Sequence, residues 1–264
     1  MDTLSIIILL VAGFVFGTLS CIAGVGGGIF FVSFMVLVFF IPINLAVDTS
    51  VFIILISSGT GFLTYFKDKR LDLKQVLTFS SFSILGSIAS TILFLFVKLD
   101  NTILKMLFAT TILLAGINMI YKAIKSTRNN QDHQDPEVEF TLSEHDYKTN
   151  LKKTIPLFFL AGFTANLLGI GGGIINTPSL NIILHYPIHN STAISTGIIF
   201  FTAIYNTIAK SIVGEIDYII GLLIGIGTIF GSFFGAKISG KMSKKYLQFF
   251  VAIVLMGLAI RMYF

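Results

Sequence analysis

The sequence predicts an all-α integral membrane protein made of two inverted-topology repeats, each with about five hydrophobic segments, eight to ten in all, and with helix breaks at glycine-rich motifs. Three observations carry this reading: long runs free of charge, a tandem duplication that restarts near residue 155, and a loop-charge pattern that reverses the second half relative to the first.

Of the 264 residues, 55% are hydrophobic and only 12% charged, with a mean hydropathy of +0.90. A soluble domain carries roughly twice that charge. A helix needs roughly 20 apolar residues to cross about 30 Å of hydrocarbon. Residues 3–47, 49–66, 75–97, 106–121, 154–209, 218–236 and 246–260 contain no Lys, Arg, Asp or Glu. The net charge of +5 comes from cations in short loops beside these runs, which is a topological bias rather than a nucleic-acid footprint. The single Cys21 excludes an internal disulfide framework and a Cys-rich metal site. The start Met1-Asp2-Thr3 lacks the positive region of a secretory leader, so the first apolar stretch is expected to be retained.

Glycine and proline divide the apolar runs into candidate spans at 4–22, 28–41, 46–66, 76–97 and 102–122, then at 155–168, 173–185, 191–212, 218–238 and 246–263. The two sets are copies. Gly17-Thr-Leu-Ser-Cys-Ile-Ala-Gly24-Val-Gly-Gly-Gly28 aligns with Gly162-Phe-Thr-Ala-Asn-Leu-Leu-Gly169-Ile-Gly-Gly-Gly173 at an offset of 145. The same offset pairs Pro42 with Pro187, Asp72 with Asp217 and Gly86-Ser87 with Gly231-Ser232, while Ala46-Val-Asp-Thr49 matches Ala193-Ile-Ser-Thr196 after a two-residue slip. The expected organisation is a first membrane repeat over 1–124, a polar cytoplasmic linker over 125–152 and an inverted second repeat over 153–264.

An odd number of crossings per repeat inverts the second repeat. With both termini outside and the linker inside, the inner loops hold 14 of the 18 cations, and only Lys98, Lys105, Lys210 and Arg261 fall in outer loops or the tail. The linker is rich in Asn, Gln, Asp and Glu, and its His133 and His145 lack compact ligand spacing. His185 and His189 flank Pro187, which spoils a helical metal pair, so no metal and no cofactor is expected.

The chemistry is expected at Gly24, Gly26, Gly27, Gly28 and at Gly169, Gly171, Gly172, Gly173. Such glycine density breaks a helix inside an apolar run. Broken backbone is tolerated at membrane depth where it is buried in protein or lines a wet cavity, and a helix N-terminus there offers N–H donors and partial positive charge to an anion. Paired breaks in inverted halves would meet near the midplane. The competing reading is close helix packing. A nucleotide loop is set aside because no Lys-Ser/Thr follows.

The twice-occurring Gly-x-Gly-Gly-Gly after a Gly-rich helix, with Ala-x-x-Thr downstream in each half, resembles the sulfite exporter TauE/SafE family over nearly the whole chain. The resemblance implies a multi-spanning permease of the cytoplasmic membrane for a small sulfur-containing anion such as sulfite, sulfoacetate, another organosulfonate or thiosulfate. Side chains near the breaks are candidate substrate contacts: Ser20 and Cys21 in the first half, Asn166, Asn176 and Thr177 in the second. Cys21 and Asn166 correspond under the repeat and are expected to share a cavity, with Asn166 and Thr177 donating to sulfonate oxygens; a small buried hydrophobe is the alternative for Cys21.

Asp48 is the carboxylate outside the loops, beside Thr49 and Ser50. It is either a coupling site for protons or the N-cap of its span. Thr49, Ser50, Ser195 and Thr196 begin equivalent spans and either cap them or line the path. The expected partners are a small anion, the lipid bilayer and protons. Alternatives are an anion channel or a permease for a non-sulfur organic acid. An intramembrane enzyme lacks a recognisable catalytic constellation, and a scaffold has no need of matched breaks.

Overall fold

The computed structural model describes residues 2–97, 100–128, 148–239 and 256–262. Its elements are all helical: α1 (Thr3–Ala23), α2 (Gly28–Val38), α3 (Ile43–Lys67), α4 (Leu73–Phe96), α5 (Asn101–Arg128), α6 (Lys148–Leu168), α7 (Gly173–Pro178) continued by a π-helical turn (Ser179–Ile183), α8 (Ile188–Val213) and α9 (Tyr218–Ser239). Residues 256–262 are helical too. The expected linker is trimmed from both sides, since α5 runs to Arg128 and α6 starts at Lys148. The rest of it, with His133 and His145, and most of the expected last span 246–263 lie outside the described residues.

Local chemistry sets the ends. Pro42 and Pro187 stand at the N-caps of α3 and α8, where a missing N–H forfeits no helical hydrogen bond. Asp72 caps α4, its carboxylate accepting the Lys74 N–H at 3.1 Å. α1 and α6 stop at glycine: Gly24, Gly26 and Gly27 have φ of 64°, 93° and 72°, and Gly169, Gly171 and Gly172 have 65°, 83° and 75°. These are left-handed conformations that other L residues rarely adopt.

Among the described residues, α1, α3, α4, α8 and α9 are long and apolar enough to cross a bilayer. The segments 28–41 and 173–185, expected as spans, are not. α2 has 11 residues and reaches roughly 16 Å, about half the hydrocarbon thickness. α7 and its π turn have 6 and 5 residues. α2 turns back along α1 rather than continuing it, because Phe16 of α1 packs against Phe30 and Phe34 of α2 with ring centroids 5.6 and 5.5 Å apart. The glycines therefore make re-entrant half-helices, and the direction of the chain after a break is a packing outcome.

The contacts recur with the halves exchanged. Gly17 of α1 packs on Thr228 of α9, and Gly162 of α6 on Ser83 of α4. Gly231 meets the Phe14 carbonyl, and Gly86 the Phe159 carbonyl. Ser232 Oγ donates to Gly17 O at 3.4 Å and Ser87 Oγ to Gly162 O at 2.9 Å. Each member of a pair is displaced by 145 residues from its counterpart. α1 and α9 run parallel, as do α4 and α6, and small residues bring their backbones together, as membrane helices that gain nothing from leaving lipid require. Outside these seams large apolar side chains such as Phe96 and Ile212 are 84% and 78% exposed, a surface suited to lipid.

The two-residue slip does not survive. Ser50 donates to Gly169 O at 2.9 Å and Ser195 to Gly24 O at 3.2 Å, so Ser50 pairs with Ser195 at the uninterrupted offset of 145. The need for a hydroxyl at the carbonyl that ends the opposite broken helix overrides the apparent Ala-x-x-Thr match.

In the seams a Cβ on Gly86 or Gly231 would overlap a facing carbonyl oxygen. Gly86→Ala and Gly231→Ala should each lower stability by about 1–3 kcal/mol, measured as thermal unfolding in detergent. Gly257→Ala, where a Cβ has nothing within 4 Å, should be neutral or slightly stabilising.

Candidate functional site

The two glycine breaks meet. A Cβ on Gly26 would lie 3.1 Å from the Gly171 Cα, and a Cβ on Gly171 would lie 3.1 Å from the Gly26 Cα. Gly28 faces the Gly169 carbonyl and Gly173 the Gly24 carbonyl. The carbonyls released by the breaks face hydroxyls of the other half: Thr177 Oγ1 donates to Gly24 O at 2.8 Å, joined there by Ser195, while the single proton of Ser50 is shared between Gly169 O at 2.9 Å and Val47 O of its own helix at 2.7 Å. The Thr177 proton is thus committed to backbone and is not free for a sulfonate oxygen. Asn176, beside it, is buried, and its Oδ1 has no hydrogen-bond partner.

Little space remains at the junction itself. Two voids of about 10 Å³ flank it, one lined by Ser20, Cys21, Gly26, Ser57, Ser58 and Thr196, the other by Val51, Ala165, Gly171, Thr202, Ala203 and Asn206, with Ile199 lining both. Each has room for about one water. The glycines here are in close backbone contact.

The room lies next door. A cavity of about 470 Å³ sits where α3 begins and α8 ends, lined among others by Val47, Asp48, Thr91, Phe94, Asn166, Lys210 and Glu215. Its floor adjoins the junction, since the Val47 carbonyl also packs on Gly169. Asp48 is not the N-cap of α3, which is Pro42. It pairs instead with Lys210 at 2.7 Å, with the two side chains 8% and 10% exposed, and its Oδ2 accepts the Glu215 N–H at 3.1 Å. Thr49 Oγ1 accepts the Asp217 N–H at 3.0 Å, so neighbouring residues of α3 hold the α8–α9 loop. The Lys210 ammonium also lies 3.9 Å from the Phe94 ring centroid, a cation–π contact.

Lys210 was expected in an outer loop. It is buried near the end of α8. A signal was present: Asp48 and Lys210 are the lone charges within 3–66 and 154–214, and they are opposite in sign. Asn166 also lines this cavity, but its amide protons go to Ser87 O at 3.2 Å and Thr91 Oγ1 at 2.9 Å. Its buried Oδ1 is left as an unpartnered acceptor.

Cys21, the repeat counterpart of Asn166, does not share that cavity. It is buried at the opposite side of the junction, its Sγ 3.7 Å from Tyr65 Oη. Tyr65 in turn donates to Cys21 O at 2.9 Å and contacts Ser239 Oγ at 3.1 Å, and Arg70 stacks 4.9 Å from the Tyr65 ring while donating to the same Ser239. The offset of 145 maps Tyr65 to Lys210 and Arg70 to Glu215. Where one end carries a cavity, its counterpart carries a plug of phenol and guanidinium.

Removing one member of a buried ion pair strands the other. Lys210→Gln alone should therefore destabilise by about 3–5 kcal/mol, and Lys210→Gln combined with Asp48→Asn should recover most of that loss. Thermal unfolding of the two variants beside the parent checks this.

The sequence model of the family described as Sulfite exporter TauE/SafE matches residues 9–262. A probable membrane transporter protein of Methanocaldococcus jannaschii is 31% identical over 218 residues, covering 80% of this chain and 74% of its own. The probable membrane transporter protein YunE of Bacillus subtilis is 27% identical over 232 residues, covering 82% of each chain. No solved structure is significantly similar. With its paired glycine breaks and apolar helices matched nearly end to end, the chain belongs to the TauE/SafE family of membrane transporters.

Proposed function

We propose that this transporter carries a small sulfur-containing anion, such as sulfite, sulfoacetate, another organosulfonate or thiosulfate, across the cytoplasmic membrane by alternating access. The observation that carries the reading is the 470 Å³ cavity with a buried cation, set against the paired helix breaks. Charged side chains are costly at membrane depth and are concentrated on transport paths. The anion occupies the cavity first and reaches the glycine junction when the halves move. The exchanged contacts supply a route: repacking each repeat into the arrangement of its counterpart closes the cavity at one end and opens the Tyr65–Arg70 plug at the other. Among the described residues the junction of Gly26 and Gly171 is flanked by voids of only about 10 Å³, which favours a carrier over a channel.

The cavity end is assigned to the outside, with the N-terminus. The basic residues Lys67, Lys69, Arg70 and Lys74 at the α3–α4 turn mark the other end as cytoplasmic by the positive-inside bias. In this reading the second repeat is inverted relative to the first, as the loop-charge bias requires.

Ligands that bind the folded state raise its stability, by about 2.7 kcal/mol at a hundredfold excess over Kd. Purified protein in detergent should show a selective thermal shift with sulfite, thiosulfate or sulfoacetate over sulfate and acetate, and folded Gly26→Ala or Gly171→Ala variants should keep that shift yet lose uptake in proteoliposomes. An equal shift with acetate would instead indicate a permease for general organic acids, and no shift with any anion would remove the anion reading.

A further inference from the structure

We propose that Asp48 is a built-in stand-in for the substrate on Lys210, and that an anion takes its place only when Asp48 takes up a proton, so that anion and proton cross together. This rests on the anion-transport reading above. The ion pair does not simply brace the fold, because both side chains line the 470 Å³ cavity rather than solid core.

Charge counting drives the inference. Among the described residues, the ionisable groups that face the cavity are Lys210 on α8, Asp48 on α3 and Glu215 in the loop after α8; Thr91 and Phe94 on α4, Leu104 on α5 and Asn166 on α6 add none. Asp217 is held beside them by its N–H to Thr49. With Asp48 ionised, its Oδ1 occupies the ammonium at 2.7 Å, and the cavity carries one positive against two negative groups. An incoming anion then meets repulsion and a ligand already in place. Protonation converts Asp48 to a neutral acid: an O–H bond forms with a proton from the outer solution, the Lys210–carboxylate attraction is lost, and the ammonium is free for a substrate oxygen. Neutral Asp48 keeps an acceptor oxygen for the Glu215 N–H that Oδ2 now holds at 3.1 Å.

Two further features mark a ligand site rather than a static brace. Asn166 lines this cavity, and its buried Oδ1 has no hydrogen-bond partner, an orphaned acceptor of the kind that functional sites carry. The ammonium lies against the Phe94 ring, so it keeps a stabilising neighbour when the carboxylate lets go. The moving charge is then one anion plus one proton. For a monovalent anion the step carries no net charge across the low-dielectric interior, which lowers its desolvation cost.

The experiment uses the full-length protein in detergent with methanesulfonate and sulfoacetate, whose sulfonates stay ionised between about pH 5 and about pH 8, and follows binding by calorimetry together with proton uptake in weak buffer. In the parent, affinity should fall as pH rises, by up to about tenfold per unit, with up to one proton taken up per anion bound. Asp48→Asn, which keeps the shape of the neutral acid, should bind at least as tightly at neutral pH, with no pH slope and no proton uptake. Lys210→Gln with Asp48→Asn, folded but without the cation, should lose binding. Asp48→Asn retaining the parent's pH slope and proton uptake, or the double variant binding like the parent, overturns the exchange while leaving anion transport standing. A parent protein that binds neither probe nor sulfite at any pH overturns the anion reading and this inference together.

Discussion

Backbone broken inside hydrocarbon must find hydrogen-bond partners within the protein, because lipid offers none. The rest of this structure depends on how that demand is met. α1 and α6 stop at Gly24 and Gly169, and the carbonyls they release are met by Ser195 and Thr177 on one side and by Ser50 on the other. Every one of these hydroxyls comes from the opposite repeat. Backbone of the same repeat meets part of each break, as Phe30 and Phe31 N–H do at Gly27 O, but Gly24 O and Gly169 O are met from the other repeat, which ties the two together at the discontinuities.

That reciprocity gives the glycines a structural reason of their own. Positive φ explains Gly24, Gly26 and Gly27 in part, but the stronger reason is steric. Gly28 and Gly173 each sit where a side chain would strike the other half's carbonyl. Small residues continue the pattern outward along the parallel seams of α1 with α9 and α4 with α6. Aromatic pairs flank the close backbone contacts, Phe14 with Phe234 along α1 and α9 and Phe79 with Phe158 along α4 and α6.

Around this symmetric frame the polar groups are asymmetric. At one end Asp48, Lys210 and Asn166 surround a cavity; at the corresponding positions of the other end Ala193, Tyr65 and Cys21 pack solidly. The repeat supplies two equivalent arrangements of helices, and the divergent side chains make the two ends chemically distinct. The alternating-access reading proposed above uses both: near-equal conformations, and unequal surroundings so that the charged groups meet solvent at a defined stage.

Several features were legible in the sequence because they depend on local composition or on pattern alone. Uncharged runs placed the long helices to within a few residues, Pro42 and Pro187 announced the starts of α3 and α8, and the Gly-x-Gly-Gly-Gly copies located both breaks and the family. Asp48 stood out by its solitude. What the tertiary structure alone decided were relations between distant residues. α2 folds back on α1 because Phe16, Phe30 and Phe34 stack, and a glycine break carries no instruction about direction. Lys210 is buried because Asp48, more than a hundred residues earlier, compensates its charge; composition near the end of α8 reads equally well as a loop. Cys21 and Asn166, matched by the repeat, lie on opposite sides of the junction, since exchanging the halves carries a residue across the pseudo-symmetry centre rather than onto its partner. Hydrophobic periodicity and glycine breaks act over a few residues and are written along the chain, whereas burial of charge and the shape of a cavity belong to pairs of elements and exist only once those elements have packed.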